Sequence, residues 1–376
     1  MINKDFALAL SGGGYRALLF SLGCLWRLNE FGLLAQMNRI TSVSGGSITS
    51  AYLAMNWKNL DFDKDTHISS RFREIIAVPL QTFCSKGIDV MAVLTGIISP
   101  WETIGDRVAK KYAARLFGSA TLKAIPSPDE GPEFIFYATN LQTGSSVRIS
   151  KLSFSDFKIG TWPTPELPLA KVVAISSAFP PILSPVKIKC NPDEWKKTTG
   201  AYLYDEPEYR KKLVLTDGGV YDNLGLEAVW NDGFKNVFVC DASAPFKFKK
   251  SPCNNWFSQA MRVTDIITYQ TRALRRHALI ENYEPDKNGN RLYGGAFMGI
   301  KTKIDTYNLD DAMVKDNKKT DGLQSIATRL SPFSPKDQGE LINWGYALTD
   351  AALRRWYFST PQPPGKWPIP EYALDK

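Results

Sequence analysis

The feature that most constrains how this chain can fold occurs twice in its first sixty residues: a short apolar strand, a glycine-rich turn and a helix. Phe6 to Leu10 reads as a strand, Ser11-Gly12-Gly13-Gly14 as a turn, and Tyr15 to Phe31 as a helix that is apolar around most of its circumference. Such a helix belongs in the centre of a molecule. Arg39 to Val43 is a second strand, followed by Ser44-Gly45-Gly46 and a helix from about Ser47 to Asn56. Hydrophobic period switching from two to 3.6 across glycine turns defines an α/β fold.

The rest of the chain is organised around that start. Residues 61–130 read as an irregular helical insertion covering the end of the sheet, with breaks at Pro79, Gly87, Pro100 and Pro126. Strands are predicted at Glu133 to Thr139, Val172 to Ser176, Val186 to Cys190, Leu213 to Thr216 and Asn236 to Asp241. Pro163, Pro165, Pro168, Pro180, Pro181 and Pro185 mark turns and extended connections between them. Helices are predicted from roughly Gln259 to Glu281 and from Lys336 to Phe358, and a Pro-rich tail over 359–376 is expected to lie on the surface or fray. The chemistry-bearing motifs fall between residues 12 and 217 and have to meet in space. The expected organisation is therefore one large domain over 1–358 with insertions, rather than two domains.

Ser42-Val43-Ser44-Gly45-Gly46, between a strand and a helix, is the context in which a nucleophile elbow works: a sharp turn lifts a serine hydroxyl above the sheet, and its neighbours two positions away must be small. Ser44 is the candidate nucleophile. The usual G-x-S-x-G pattern has glycine where this chain has Ser42, which is small enough to be tolerated. The plainer alternative is a serine/glycine turn that only starts a helix. Gly12-Gly13-Gly14-Tyr15-Arg16 adds a second element, because successive N–H groups at a helix N-terminus favour negative charge and can hold a phosphate or a tetrahedral oxyanion. A Walker A loop would need Gly-Lys-Ser/Thr, which is absent. Gly12-x-Gly14-x-x-Ala17 fits a relaxed dinucleotide fingerprint, but the second strand would then end in an acid that grips ribose, and it ends in Ser42-Val43-Ser44. An oxyanion hole facing Ser44 accounts for both turns together.

A serine needs a base. The 376 residues include only two histidines, His67 and His277. Asp217, in Thr216-Asp217-Gly218-Gly219 at the end of an apolar strand, is the alternative to them. Read more plainly, it is an Asp-Gly turn before a helix beginning near Asn223, with Asp222 or Asn223 as its N-cap.

Three blocks in order, Ser11-Gly12-Gly13-Gly14-Tyr15-Arg16, Ser44-Gly45-Gly46-Ser47 and Asp217-Gly218-Gly219-Val220-Tyr221-Asp222-Asn223, resemble the signature blocks of patatin-like phospholipases. Ala138-Thr139-Asn140 through Gly144 and the Ala174 to Pro185 segment are similar as well, so the resemblance runs from about residue 5 to 242, with an extension through Asn343 to Ala347. It implies a three-layer α/β/α sandwich around a mainly parallel sheet, and a Ser–Asp dyad in which no histidine takes part. Carried onto this chain, Ser44 is the nucleophile and Asp217 the base. The backbone of Gly12, Gly13 and Gly14 forms the oxyanion hole, with Arg16 nearby to stabilise it or a phospholipid phosphate. The expected activity is hydrolysis of fatty-acyl esters of membrane phospholipids, without cofactor or metal.

Composition narrows the partners. Five scattered cysteines (Cys24, Cys84, Cys190, Cys240, Cys253) form no CxxC pair, which fits a reducing compartment, and the first ten residues lack the pattern of a secretory signal. No apolar run approaches the roughly 20 residues that span a bilayer. The nearest, Val90 to Trp101, is interrupted by Gly96 and Pro100, and the stretch Ile88 to Trp101 is a candidate lid or membrane-touching segment. A cytoplasmic protein with at most peripheral membrane contact is expected. The net charge is +8, and residues 245–303 hold eleven Lys/Arg against four acids, with Arg272, Arg275 and Arg276 sharing a helix face. That surplus reads as a solvated face, as attraction to anionic head groups, or as a pocket for a phosphorylated regulator. Some stand-alone bacterial relatives of this layout are antiphage effectors switched on by a cyclic oligonucleotide, which gives a second reading of the same chemistry. No nucleic-acid-binding module accompanies the charge, so no polymer partner is expected. A homo-oligomer stays open.

Overall fold

A computed structural model describes residues 3–86, 88, 103–230, 232–252 and 255–375. Among them a ten-stranded sheet forms the centre. Its strands are β1 (Phe6–Leu10), β2 (Arg39–Ser42), β3 (Glu133–Asn140), β4 (Ser145–Ile149), β5 (Ser153–Asp156), β6 (Gly160–Pro163), β7 (Val186–Lys189), β8 (Lys212–Asp217), β9 (Asn236–Asp241) and β10 (Gly294–Gly299). Among the described residues the helices of eight residues or more are α1 (Gly14–Glu30), α2 (Gly45–Met55), α3 (Val78–Lys86), α4 (Ile104–Tyr112), α5 (Leu169–Ser176), α6 (Trp256–Tyr283) and α7 (Pro335–Trp356). The heart of the sheet, β10-β9-β1-β2-β3, is parallel, and β4 to β6 continue it as antiparallel strands.

Period-two alternation in β1 sorts the layers. Leu8 and Leu10 point into a large core shared with α1, α2 and α7, while Ala7 and Ala9 face a smaller one with Leu224, Leu226, Val229 and Leu279 of α6. Both faces are covered, giving the three-layer α/β/α sandwich. The apolar helix expected at Tyr15 to Phe31 is α1, and it is central: every residue from Gly14 to Asn29 is buried. It packs against α7 at backbone distance, since a Cβ on Gly23 would lie 1.9 Å from the Ile342 carbonyl oxygen and one on Gly345 would lie 2.1 Å from that of Phe20. Arg27 of α1 reaches Asp350 of α7 at 2.6 Å, with both side chains buried.

One junction in the sheet decides where the site lies. Along the same edge of β3, β2 pairs up to Phe136 and antiparallel β8 takes over from Ala138. The C-terminal ends of β2 and β8 therefore meet head to head.

Several elements differ from expectation. Val172 to Ser176 belongs to helix α5 and is not a strand. A short apolar segment buried on all sides carries no usable periodicity, and here packing on α4, α2 and β3 overrides the β-branched composition. Pro79 does not break its helix: the turn before it, Arg73–Ala77, is wound as π-helix, which accommodates the missing N–H. No helix begins near Asn223. A four-residue turn, Gly219–Asp222, precedes it, and the Asp222 carboxylate accepts from the backbone N–H groups of Leu224, Leu226 and Glu227. Strands β4, β5, β6 and β10 carry weak sequence signals, β10 because glycine and alanine supply four of its six residues. The tail after 358 is docked, with Ile369, Ala373 and Leu374 buried and Asn343 donating to the carbonyls of Ile369 and Tyr372. Of Ile88 to Trp101, only Ile88 is within the described residues; Gly87, Pro100 and Cys253 lie outside them.

Candidate active site

Ser44 sits at the junction of β2 and α2 with φ 52° and ψ −119°, a conformation rarely adopted by a residue with a side chain. Such strain persists only where the surroundings over-determine it. Its N–H donates to Ser176 Oγ at 3.1 Å, and Ser176 Oγ in turn lies 2.8 Å from Ser47 Oγ, which donates to Ser42 Oγ at 3.1 Å. Ser42, the residue that departs from the usual glycine, thus has a role in the hydroxyl network that fixes the elbow. Close approach explains the glycine that follows: a Cβ on Gly45 would lie 2.0 Å from the Gly14 carbonyl oxygen.

Asp217 arrives from the opposite direction at the end of β8. Its backbone is pinned by N–H to the Ala178 carbonyl (3.0 Å), while its own carbonyl accepts from Thr139 Oγ1 (2.9 Å). Oδ1 accepts from Gly219 N–H at 2.7 Å; Oδ2 is buried without a well-formed hydrogen bond. Burial pushes this carboxyl up to about 7, against the lowering pull of Gly219 N–H and of the Ser44 hydroxyl that faces it. A carboxyl poised near neutrality beside a serine hydroxyl is suited to general-base work.

The glycine turn closes the third side. Gly12 packs on the serine, so that a Cβ there would lie 3.2 Å from Ser44 Cβ. Its N–H is committed to the Asn223 carbonyl at 3.1 Å, and the Tyr15 N–H to that of Arg329 at 3.0 Å. The expectation that all three glycines lend their N–H groups is therefore narrowed to Gly13 and Gly14, whose N–H groups have no partner among the described residues. Gly13, at φ 146°, begins the turn into α1. Arg16 lies beneath, 1% exposed, with Nε donating to Ala242 O (3.0 Å) and one Nη to Ile326 O (2.5 Å); the other Nη has no partner among the described residues. Burial lowers its pKa to about 10, opposed by Asp241.

A family model for patatin-like phospholipases matches residues 8–230, more than half of the chain. The chain belongs to the patatin-like phospholipase family. Among solved structures it is similar to human GIVD cytosolic phospholipase A2, at 13% identity and a TM-score of 0.53, over 93% of this chain and 58% of that one. The same human protein in complex with methyl γ-linolenyl fluorophosphonate is similar at 12% identity and a TM-score of 0.52, over 92% and 57%. The chain thus spans less than two thirds of that protein, and the likeness is one of fold. No curated protein sequence matches the chain.

In this patatin-like chain Ser44 and Asp217 open into a cavity of about 1050 Å³. Its lining is mixed: Phe179, Ile182, Leu183 and Leu330 are apolar, and Lys247, Lys249, Arg262 and Arg272 form a cationic part with Asp265 among them. Neither histidine lines it. His277 is exposed and pairs with Glu281 at 3.3 Å, while His67 borders a separate depression of about 410 Å³. The three arginines expected on one helix face part ways: Arg272 lines the cavity and donates to Ala244 O, Arg275 pairs with Glu227 at 2.6 Å, and Arg276 is exposed. Sequence reasoning missed Ser176 and the bridging use of Asn223, which ties the glycine turn to Ser243 as well. Ser176 had no signal, because it lies 132 residues from Ser44 in a segment read as a strand.

Proposed function

We propose that this chain is a serine lipid acyl hydrolase that cleaves fatty-acyl esters of phospholipids with Ser44 as nucleophile and Asp217 as base. The observation that carries the reading is the buried Asp217 carboxyl facing Ser44, with one oxygen lacking a well-formed hydrogen bond. Asp217 takes the hydroxyl proton as Ser44 Oγ bonds to the ester carbonyl carbon. The carbonyl oxygen becomes an oxyanion that accepts from the Gly13 and Gly14 N–H groups at the positive end of α1. Collapse breaks the bond to the alcohol oxygen, which takes the proton from Asp217. Water then attacks the acyl-enzyme, giving its proton to Asp217, and the serine leaves as the proton returns to Oγ. Arg16, with its free N–H at the cavity floor, is placed to hold negative charge next to the oxyanion or on a lipid phosphate.

The test is fatty-acid release from phospholipid vesicles. Ser44→Ala and Asp217→Asn are expected to abolish it and His277→Ala to leave it intact. Full activity in Ser44→Ala sinks the proposal; a folded but inactive His277→Ala replaces the dyad with a triad. The cationic part of the lining supports a second reading, in which the same chemistry waits for a phosphorylated activator such as a cyclic oligonucleotide of the kind used in antiphage signalling. Adding cyclic di- and trinucleotides to the vesicle assay separates the two, since a constitutive enzyme shows no change. Among the described residues no helix is long and apolar enough to cross a membrane. A cytoplasmic location with peripheral membrane contact remains part of the proposal.

A further inference from the structure

Helix α6 is 28 residues long, yet Leu279 is its only fully buried residue. Arg262, Asp265, Tyr269 and Arg272, spaced three, four and three apart, line the cavity. Trp256, Val263, Ile267 and Leu274, spaced seven, four and seven, fall within a narrow arc on the opposite side at 100° per residue. They are 80%, 52%, 54% and 62% exposed. An apolar stripe of this length turned to solvent on an otherwise well-packed molecule marks a docking face.

The loop leading into the helix carries the complementary chemistry. Phe246 anchors it, its ring tilted against that of Tyr269 with centroids 5.0 Å apart and lying 4.1 Å beneath the Arg262 guanidinium. Phe248 then projects with 93% of its surface exposed. Lys247, Lys249 and Lys250 alternate with these rings, are exposed, and form no ion pair with a described carboxylate. Phe246, Lys247 and Lys249 also line the cavity, so this tip is one lip of its mouth. Phe179 and Ile182, about half exposed, line the same cavity.

We propose that the loop from Phe246 to Ser251 and the solvent face of α6 dock on an anionic lipid bilayer, seating the cavity mouth at the membrane surface. The proposal rests on the lipid hydrolase reading, which it extends from chemistry to partner. Interleaved aromatics and lysines match the interfacial boundary of a bilayer, where rings insert and ammonium groups meet lipid phosphates. A second copy of this chain fits less well. A two-fold contact through this tip would set the same unpaired lysines against each other.

The experiment is co-sedimentation of the Ser44→Ala protein, which leaves lipid intact, with phosphatidylcholine vesicles with and without phosphatidylglycerol. Binding is expected mainly to the anionic vesicles and to weaken with salt. Replacing both rings (Phe248→Ser with Trp256→Ser) should lower partitioning by about tenfold or more. Lys250→Glu should lower it at least about fivefold, the weight of one basic side chain at such a surface. In the Ser44 background both variants should hydrolyse a soluble short-chain ester at the wild-type rate, which shows that they are folded.

Undiminished binding by the double variant, or equal binding to both vesicle types, overturns the proposal. So does a dimer in analytical ultracentrifugation that the double variant abolishes while vesicle binding persists. Wild type that cleaves the soluble ester but ignores anionic vesicles refutes docking and keeps the hydrolase. Anionic binding without hydrolysis of any ester supports docking and refutes the hydrolase.

Discussion

Asp217 answers two opposing demands at a single residue. As the proposed base it must shed its proton near neutral pH, and as a buried group it resists carrying charge; the result is a carboxyl raised to about 7. Since only the carboxylate can accept the Ser44 proton, kcat/KM is expected to rise with pH through about 7 and to fall about tenfold per unit below it. A profile flat between pH 5 and 8 would remove Asp217 as the base. Stability should run the other way. The folded state holds this proton to higher pH than the unfolded chain does, so the contribution of Asp217 is greatest below about pH 4 and is lost as pH rises towards 7. Asp217→Asn keeps the shape without the charge and is therefore expected to be inactive yet more stable at pH 8 by a few kcal/mol, read from urea midpoints. Little or no gain at pH 8 would mean that the carboxyl is less burdened than its burial indicates.

At the scale of elements, the site is a meeting of ends: the start of α1, the start of α2, the end of α5 and the end of β8. The tightest contact among them is Gly45 against Gly14, backbone on backbone, where neither side can yield by rotating a side chain. Gly45→Ala is expected to push α2 away from the glycine turn, costing about 1–3 kcal/mol of stability and lowering kcat by more than tenfold. Steady-state kinetics alongside thermal melts checks this; unchanged kcat would show that the elbow and the glycine turn are not coupled. These elements also differ in how far the sequence announces them. The units β1-turn-α1 and β2-turn-α2 are legible because period and glycine placement agree within a stretch of twenty residues. Helix α5 is not, because Leu-Ala-Lys-Val-Val-Ala-Ile-Ser suits a buried strand as well as a buried helix. The choice is made by neighbours far away in the chain.

For the molecule as a whole, the face that carries Ser44 and Asp217 is held by a framework reaching to its far end. Arg27 of α1 and Asp350 of α7 join the helix that starts at the glycine turn to the C-terminal tail, where Asp350 also accepts from Gly365 N–H and pairs with Arg354. Asp350→Ala leaves two guanidinium groups without their shared carboxylate and is expected to cost about 3–5 kcal/mol, with activity per folded molecule nearly unchanged. Thermal melts and active-site titration separate these outcomes, and loss of kcat at full stability would contradict them. The sequence by itself determined the α/β class, the elbow serine, the candidate aspartate and the family, because each depends on residue type and spacing over a few positions. The tertiary structure decided which glycine N–H groups remain free, that Ser176 steadies the elbow, that the histidines stay out of the cavity, and that the basic segment frames its mouth. Those facts depend on which backbone groups and charges become neighbours across a hundred residues or more, and burial and pairing at that distance leave no local pattern to read.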